Sequence, residues 1–344
     1  MFSPLNPSKV LFLLMMMLGT IISISSNSWP TAWMGLEINL LAFIPLLSIK
    51  ANILSSEASM KYFLIQALAS SMFLTFTIMM MSNYSMFLLN NKTYQYLITM
   101  TLLMKMGAAP FHFWFPVVME GLTWMMCYLL MTWQKLAPMM ILSYLSLSNN
   151  MIFIALMMSI IIGSVGGLNQ TSTRKIMAYS SINHIGWMLM TIICSDNLWI
   201  MYFLMYSLIS LSVIMPLSTQ SNQHFNQILI KNNLTPTFQL FFMINMLSLG
   251  GIPPFLGFLP KWLVIQSSLT ANYTATTLFM VMITLITLFY YLRLILSSLL
   301  MNSTQVKWNH ELMSSHLPLN IITSLLTILS LTGLTLYPLT LLSL

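Results

Sequence analysis

Charge is the scarcest thing in this chain. Of 344 residues, 12 are lysine or arginine and 5 are aspartate or glutamate, 5% in all, where a soluble globular chain carries roughly 25%. So few charges cannot clothe the water-exposed surface of a soluble fold this long. A hydrophobic content of 58% equally excludes a disordered chain. Cysteine is nearly missing, with Cys127 and Cys194 as the two present. An iron–sulfur cluster takes four thiolates and a structural zinc four Cys/His ligands, so neither is expected from this chain alone, and both cysteines read as small buried apolar residues. The glycine signatures of nucleotide sites, G-x-G-x-x-G and G-x-x-x-x-G-K-[ST], do not occur, which argues against a nucleotide site. The net charge of +7 comes from cations standing singly between apolar runs, so topology explains them better than nucleic acid does.

What is there is apolar and long. At about 20 apolar residues per membrane crossing, the chain reads as an all-α polytopic membrane protein, one membrane domain over 1–344. Eleven stretches qualify, at 10–26, 28–48, 58–82, 94–118, 123–146, 150–168, 175–194, 197–217, 237–269, 274–299 and 319–341. The connections are short and polar except around 218–236 and 300–318. An Arg-rich transit peptide is not seen, and the run beginning at Val10 reads as a retained first helix. Counting crossings from the N-terminus puts Lys9, Lys50, Lys61, Arg174, Lys175, Lys231, Arg293 and Lys307 on or near the N-terminal side, against Lys92 on the other. That bias places the N-terminus on the cytoplasm-like or matrix side and the C-terminus opposite. Lys61 and Arg293, near helix ends, are expected to snorkel to the interface.

Four ionisable residues do not sit at ends. Glu37, Lys105, Lys135 and Lys261 fall within apolar runs, and each costs at least about 2.5–3.5 kcal/mol at a helix centre on insertion scales. One glutamate cannot neutralise three lysines. A low-dielectric layer favours the neutral form of an amine, so such a lysine suits the uptake and release of a proton. The bland reading is a static ion pair, for instance Glu37 with Lys105.

Two of these lysines flank matching interruptions. Gly107-Ala108-Ala109-Pro110-Phe111 and Gly251-Ile252-Pro253-Pro254-Phe255 lie at an offset of 144 residues, and both close on a proline, Pro116 and Pro260. Proline removes a backbone donor and glycine loosens a helix, so the runs 94–118 and 237–269 are expected to be broken membrane helices. They are five crossings apart, an odd number, which predicts an inverted repeat. Paired broken helices point to a transporter-like core. His112 follows the first break and is a candidate proton relay or a satisfied core histidine.

The densest polar island runs Gly166-Gly167-Leu168-Asn169-Gln170-Thr171-Ser172-Thr173-Arg174-Lys175-Ile176-Met177-Ala178-Tyr179-Ser180-Ser181-Ile182-Asn183-His184-Ile185-Gly186. It resembles the G-G-L-x-Q-x-x-x-R-K-x-x-A-Y-S-S-I-x-H-x-G signature of the antiporter-like proton-pumping subunits of respiratory complex I. Trp33-Met34-Gly35-Leu36-Glu37-Ile38-Asn39, Lys105 to Trp114 and Leu247 to Phe258 agree with it, so the resemblance spans essentially the whole chain and is insect-like in detail. Longer members of the family carry fourteen helices; the missing three are what the animal mitochondrial form lacks. A mitochondrial genetic code that reads AUA as methionine would account for the 35 methionines.

The resemblance implies roles for matching residues. Glu37 looks like the glutamate that pairs with the lysine before the first break, Lys105. Lys135 looks like the bridging lysine, and Lys261 like the terminal proton site of the second broken helix. His112 and His184 resemble relay histidines, and His184 is otherwise read as a helix–helix hydrogen bond. Tyr179, Ser180 and Ser181 line water or pack helices. No redox centre is expected in this chain; NAD, FMN, iron–sulfur clusters and ubiquinone are implied in partner subunits. The implied partners are other complex I membrane-arm subunits and lipids, and the implied location is the mitochondrial inner membrane. A stand-alone cation/proton antiporter subunit and a purely structural arm subunit are the competing readings.

Overall fold

A backbone at membrane depth has no water to bond to, so runs of Leu, Ile, Met and Phe must satisfy their own N–H and C=O groups, which the α-helix does. The computed structural model describes residues 7–48, 52–81, 91–145, 149–195, 197–220, 236–300 and 317–333, and all regular structure among them is helical apart from an isolated bridge at Ser172. In order, the helices are α1 (Pro7–Ile24), α2 (Trp29–Leu47), α3 (Ile53–Met81), α4 (Asn91–Met106), α5 (Trp114–Gly121), α6 (Trp124–Met131), α7 (Trp133–Tyr144), α8 (Asn149–Leu168), α9 (Thr173–Cys194), α10 (Leu198–Gln220), α11 (Pro236–Gly250), α12 (Phe258–Thr270), α13 (Thr274–Leu300) and α14 (Leu317–Leu331). Lys50, Lys231 and Lys307, which enter the charge bias, lie outside the described residues.

Eight of the eleven expected crossings are helices long and apolar enough to span a membrane: 7–24, 29–47, 53–81, 124–144, 150–168, 173–194, 198–218 and 274–296. The count of eleven is therefore not met by continuous helices. Of the other three runs, 94–118 and 237–269 are each divided into two shorter helices, and 319–341 is described only as far as residue 333. The 123–146 run carries an irregularity that its composition does not announce. Thr132 (φ −111°, ψ −76°) separates α6 from α7. Pro138 lies six residues on, inside α7, where its ring crowds the carbonyl of residue 134.

The helices form two compact units, one of residues 1–162 and 181–196, the other of 163–180 and 197–344. In the first unit, α1 and α2 pack through small residues. A Cβ at Gly35 would stand 2.6 Å from the Ser23 nitrogen and 2.8 Å from the Gly19 oxygen, so only glycine permits this approach. Helix α3 lies against α2, α4 and α5, and α7 packs on α1, α2, α4 and α6. Leu11, Leu14, Leu18 and Ile21 are exposed along α1 at helical spacing, an outward stripe suited to lipid. In the second unit, α11 packs against α10, α13 and α14, and α12 against α10 and α13.

The two divided helices share one local geometry. Helix α4 ends at Met106 and α11 at Gly250, each followed by a left-handed glycine, Gly107 (φ +72°) and Gly251 (φ +74°). In the first, Ala108 N–H bonds the Leu103 carbonyl (3.0 Å) and Gly107 N–H that of Met104 (3.2 Å). In the second, Ile252 N–H bonds the Leu247 carbonyl (3.5 Å) and Gly251 N–H that of Ser248 (3.0 Å). Both are Schellman ends, which favour a residue without a Cβ at the left-handed position. Cis peptides follow at Ala109–Pro110 and Pro253–Pro254, and the second half-helices begin at Trp114 and Phe258.

Candidate functional site

A helix that ends inside the apolar layer leaves its last carbonyls without water, and donors must be supplied from elsewhere. In the first unit these donors are neutral. Gln66 Nε2 of α3 donates to the Lys105 carbonyl (3.1 Å), and the Trp114 indole donates to that of Met104 (3.2 Å). In the second unit the donor is an amine: Lys261 Nζ, in the first turn of α12, reaches back to the Gly250 carbonyl at 2.8 Å. A Cβ on Gly251 would stand 2.8 Å from that nitrogen, so the glycine also clears the path of the side chain.

Lys105 lies in the last turn of α4 with 6% of its surface exposed, where a cation is favoured by the negative end of the helix dipole. It lines a small cavity with Asn39, Tyr62, Gln66, Gln134 and Pro138. Glu37, the partner expected for Lys105, is on α2. The two do not meet at ion-pair distance; among the described residues the direct pair is Lys61 with Glu57, at 2.6 Å on the surface. The Oε2 atom of Glu37 is buried without a hydrogen-bond partner.

Lys135 is 1% exposed in the first turn of α7. Its Nζ donates to the Ser181 carbonyl of α9 at 3.3 Å and stands 5.3 Å from the centre of the Phe115 ring. His184 is buried three residues along α9 from Ser181, on the same helical face. His112 is buried within the first break, its Nδ1 3.2 Å from the Pro110 carbonyl and its ring 4.3 Å from that of Phe113. The first unit thus contains Glu37, Lys105, His112, Lys135 and His184, and the second contains Lys261.

The polar island of the sequence is held in part by the second unit. Arg293 of α13 donates to the carbonyls of Leu168 (2.8 Å) and Gln170 (3.0 Å). This cation, expected near a helix end, caps the end of α8. Ser180 hydrogen-bonds the Tyr291 hydroxyl.

Sequence reasoning passed over Asn39, Tyr62, Gln66 and Gln134. Tyr62 donates to Gln134 Oε1 (3.2 Å), and Gln134 Nε2 donates to Asn39 Oδ1 (3.0 Å). A search for charges does not find neutral polar groups. The available signal was Tyr62 and Gln66 at i, i+4 on an apolar helix, with Gln134 beside Lys135.

Residues 26–289 match the family model described as "NADH:quinone oxidoreductase/Mrp antiporter, TM". The chain is 52% identical over 303 residues to NADH-ubiquinone oxidoreductase chain 2 of Anopheles gambiae, covering 88% of this chain and 89% of that one. It is 45% identical to the protein of the same name from Locusta migratoria, with the same coverage. Among solved structures, a chain in the respiratory complex I of Thermus thermophilus, with bound aureothin, is 23% identical and matches with a TM-score of 0.81, covering 97% of this chain and 80% of that one. That last likeness shows the fold.

Proposed function

Because the chain belongs to the NADH:quinone oxidoreductase/Mrp antiporter membrane family, we propose that it is a proton-translocating membrane subunit of a respiratory NADH:ubiquinone oxidoreductase, the counterpart of the insect chain 2 proteins. The observation that carries this reading is the burial of three lysines within membrane-spanning or divided helices: Lys105, Lys135 and Lys261 are 6%, 1% and 6% exposed. Each amine has polar surroundings at depth, a polar cavity for Lys105 and a backbone carbonyl for each of the others. Such positions hold a proton without opening the layer to bulk water.

Glu37, Lys105 and Lys135 form the carrying groups of the first unit, with His112 and His184 as auxiliary relays. Lys261 has the corresponding role in the second, and the two divided helices are related repeat elements. Moving one charge through 100 mV is worth about 2.3 kcal/mol, so the influence that switches each amine between charged and neutral forms must work on that scale. Its energy comes from partner subunits that hold the NAD, FMN, iron–sulfur and ubiquinone chemistry. The protein sits among other membrane-arm subunits in the mitochondrial inner membrane, N-terminus on the matrix side. Lys105→Met in the assembled complex is expected to abolish this subunit's share of redox-driven proton pumping. Pumping at the wild-type level, with the variant fully assembled, would overturn the relay.

A further inference from the structure

A proline inside a helix frees the carbonyl four residues before it, because it has no N–H to give. In α10 that proline is Pro216, and the carbonyl it frees is that of Ser212. At membrane depth another donor must serve such a group. The donor is Asn245 of α11, fully buried, whose Nδ2 meets the Ser212 carbonyl at 2.9 Å. The other end of the same amide is engaged too. Asn245 Oδ1 accepts from the Ser330 hydroxyl of α14 at 3.2 Å, the hydroxyl proton being shared with the Thr327 carbonyl of its own helix (2.8 Å). One amide of the second unit thus joins α10, α11 and α14.

Ser330 also reaches past the break. Its carbonyl accepts the Leu256 N–H at 2.9 Å, so one residue of α14 holds the chain on both sides of the interruption. A Cβ on Gly333, just beyond α14, would collide with the Leu256 Cα, so backbone meets backbone there. Asn245 stands five residues before Gly250, and Leu256 five residues before Lys261. Gly250 and Lys261 are the acceptor and the donor of the bond that closes the break. We propose that Asn245 is a positioning residue for Lys261: with Ser330 it fixes α11 and the segment leading into α12 to one strut, α14, and so sets the span between the Lys261 amine and the Gly250 carbonyl. The inference rests on Lys261 carrying a proton, as argued above. An amide suits this place because it donates and accepts at once and carries no charge, so it ties the helices without an electrostatic pull on the amine. A leucine of similar size would leave the Ser212 carbonyl without this donor and detach α11 from α14 at this point.

The test uses the assembled complex carrying Asn245→Leu or Ser330→Ala. In Asn245→Leu this subunit's share of redox-driven proton flux is expected to fall about tenfold, the scale of one buried polar group left unsatisfied. A map of that variant is expected to show Lys261 Nζ beyond about 3.5 Å from the Gly250 oxygen, out of hydrogen-bond reach. Ser330→Ala keeps the backbone bond to Leu256, and its flux should fall about threefold, the scale of one neutral hydrogen bond. Adding Asn245→Leu to Lys261→Met should lower flux no further than Lys261→Met alone, because Asn245 acts through that amine, whereas structural damage would add a loss of its own. Wild-type flux in both single variants, an unchanged distance from Lys261 to Gly250, or a further loss in the double variant overturns the proposal. If Asn245→Leu does not assemble, Ser330→Ala and its pairing with Lys261→Met decide. Loss of pumping in Lys261→Met beside normal pumping in Asn245→Leu and Ser330→Ala removes the positioning role alone; normal pumping in Lys261→Met removes the relay itself.

Discussion

Lys261 Nζ donates to the Gly250 carbonyl at 2.8 Å, across the interruption between α11 and α12. The equivalent interruption in the first unit is closed by Gln66 and Trp114 instead. The backbone of the two breaks is alike down to the left-handed glycine, but an amine completes one and neutral donors complete the other. Lys105 is thereby left to its polar cavity.

Gly251→Ala follows from that relationship. An alanine at φ +74° costs about 1–2 kcal/mol in backbone terms, and its Cβ meets Lys261 at 2.8 Å. The amine is expected to lose Gly250, and pumping in the assembled complex should fall towards the Lys261→Met value. Flux measured against NADH oxidation checks this, and wild-type flux would mean that the amine need not reach Gly250.

Lys135 meets a backbone carbonyl and an aromatic face. Lys135→Met is expected to stop proton flux while the complex assembles. Lys135→Arg should not restore it, because a guanidinium stays charged and its planar fork does not fit a site shaped to a point charge. Proton uptake by reconstituted complex is the measurement, and full activity in Lys135→Arg would show that charge alone suffices there.

Arg293 bonds two carbonyls at once. Arg293→Lys places a point charge where a fork was, so one carbonyl should lose its donor, at a cost of about 1–3 kcal/mol. The thermal stability of the solubilised complex is expected to drop, with a larger drop for Arg293→Ala. Equal stability of wild type and Arg293→Lys would show that the second bond contributes nothing.

The helical fold and its two interruptions were legible in the sequence because glycine and proline act on the backbone locally. Gly107 with Pro110 and Gly251 with Pro254 mark the breaks at the positions where the helices end. The irregularity at Thr132 was not legible, because Pro138 lies six residues further on, inside α7, which continues through it. The wall of the Lys105 cavity was not legible at all. Asn39 and Gln134 lie 95 residues apart and Gln66 and Lys105 lie 39 apart, and neutral polar side chains carry none of the insertion penalty that singles out a lysine. The role of Arg293 was likewise hidden, since the carbonyls it meets belong to α8 and the turn beyond it.

An ammonium offers three N–H donors, and shedding one proton removes both a donor and the charge. For Lys261 that loss is felt by the main chain, since the same nitrogen fastens the terminus of α11. In the proposed relay, deprotonation of Lys261 leaves two N–H donors and takes away the charge, so the bond that fastens α11 weakens without being lost, whereas in the first unit, where an amide and an indole do the fastening, a change of protonation at Lys105 leaves the closing bonds untouched.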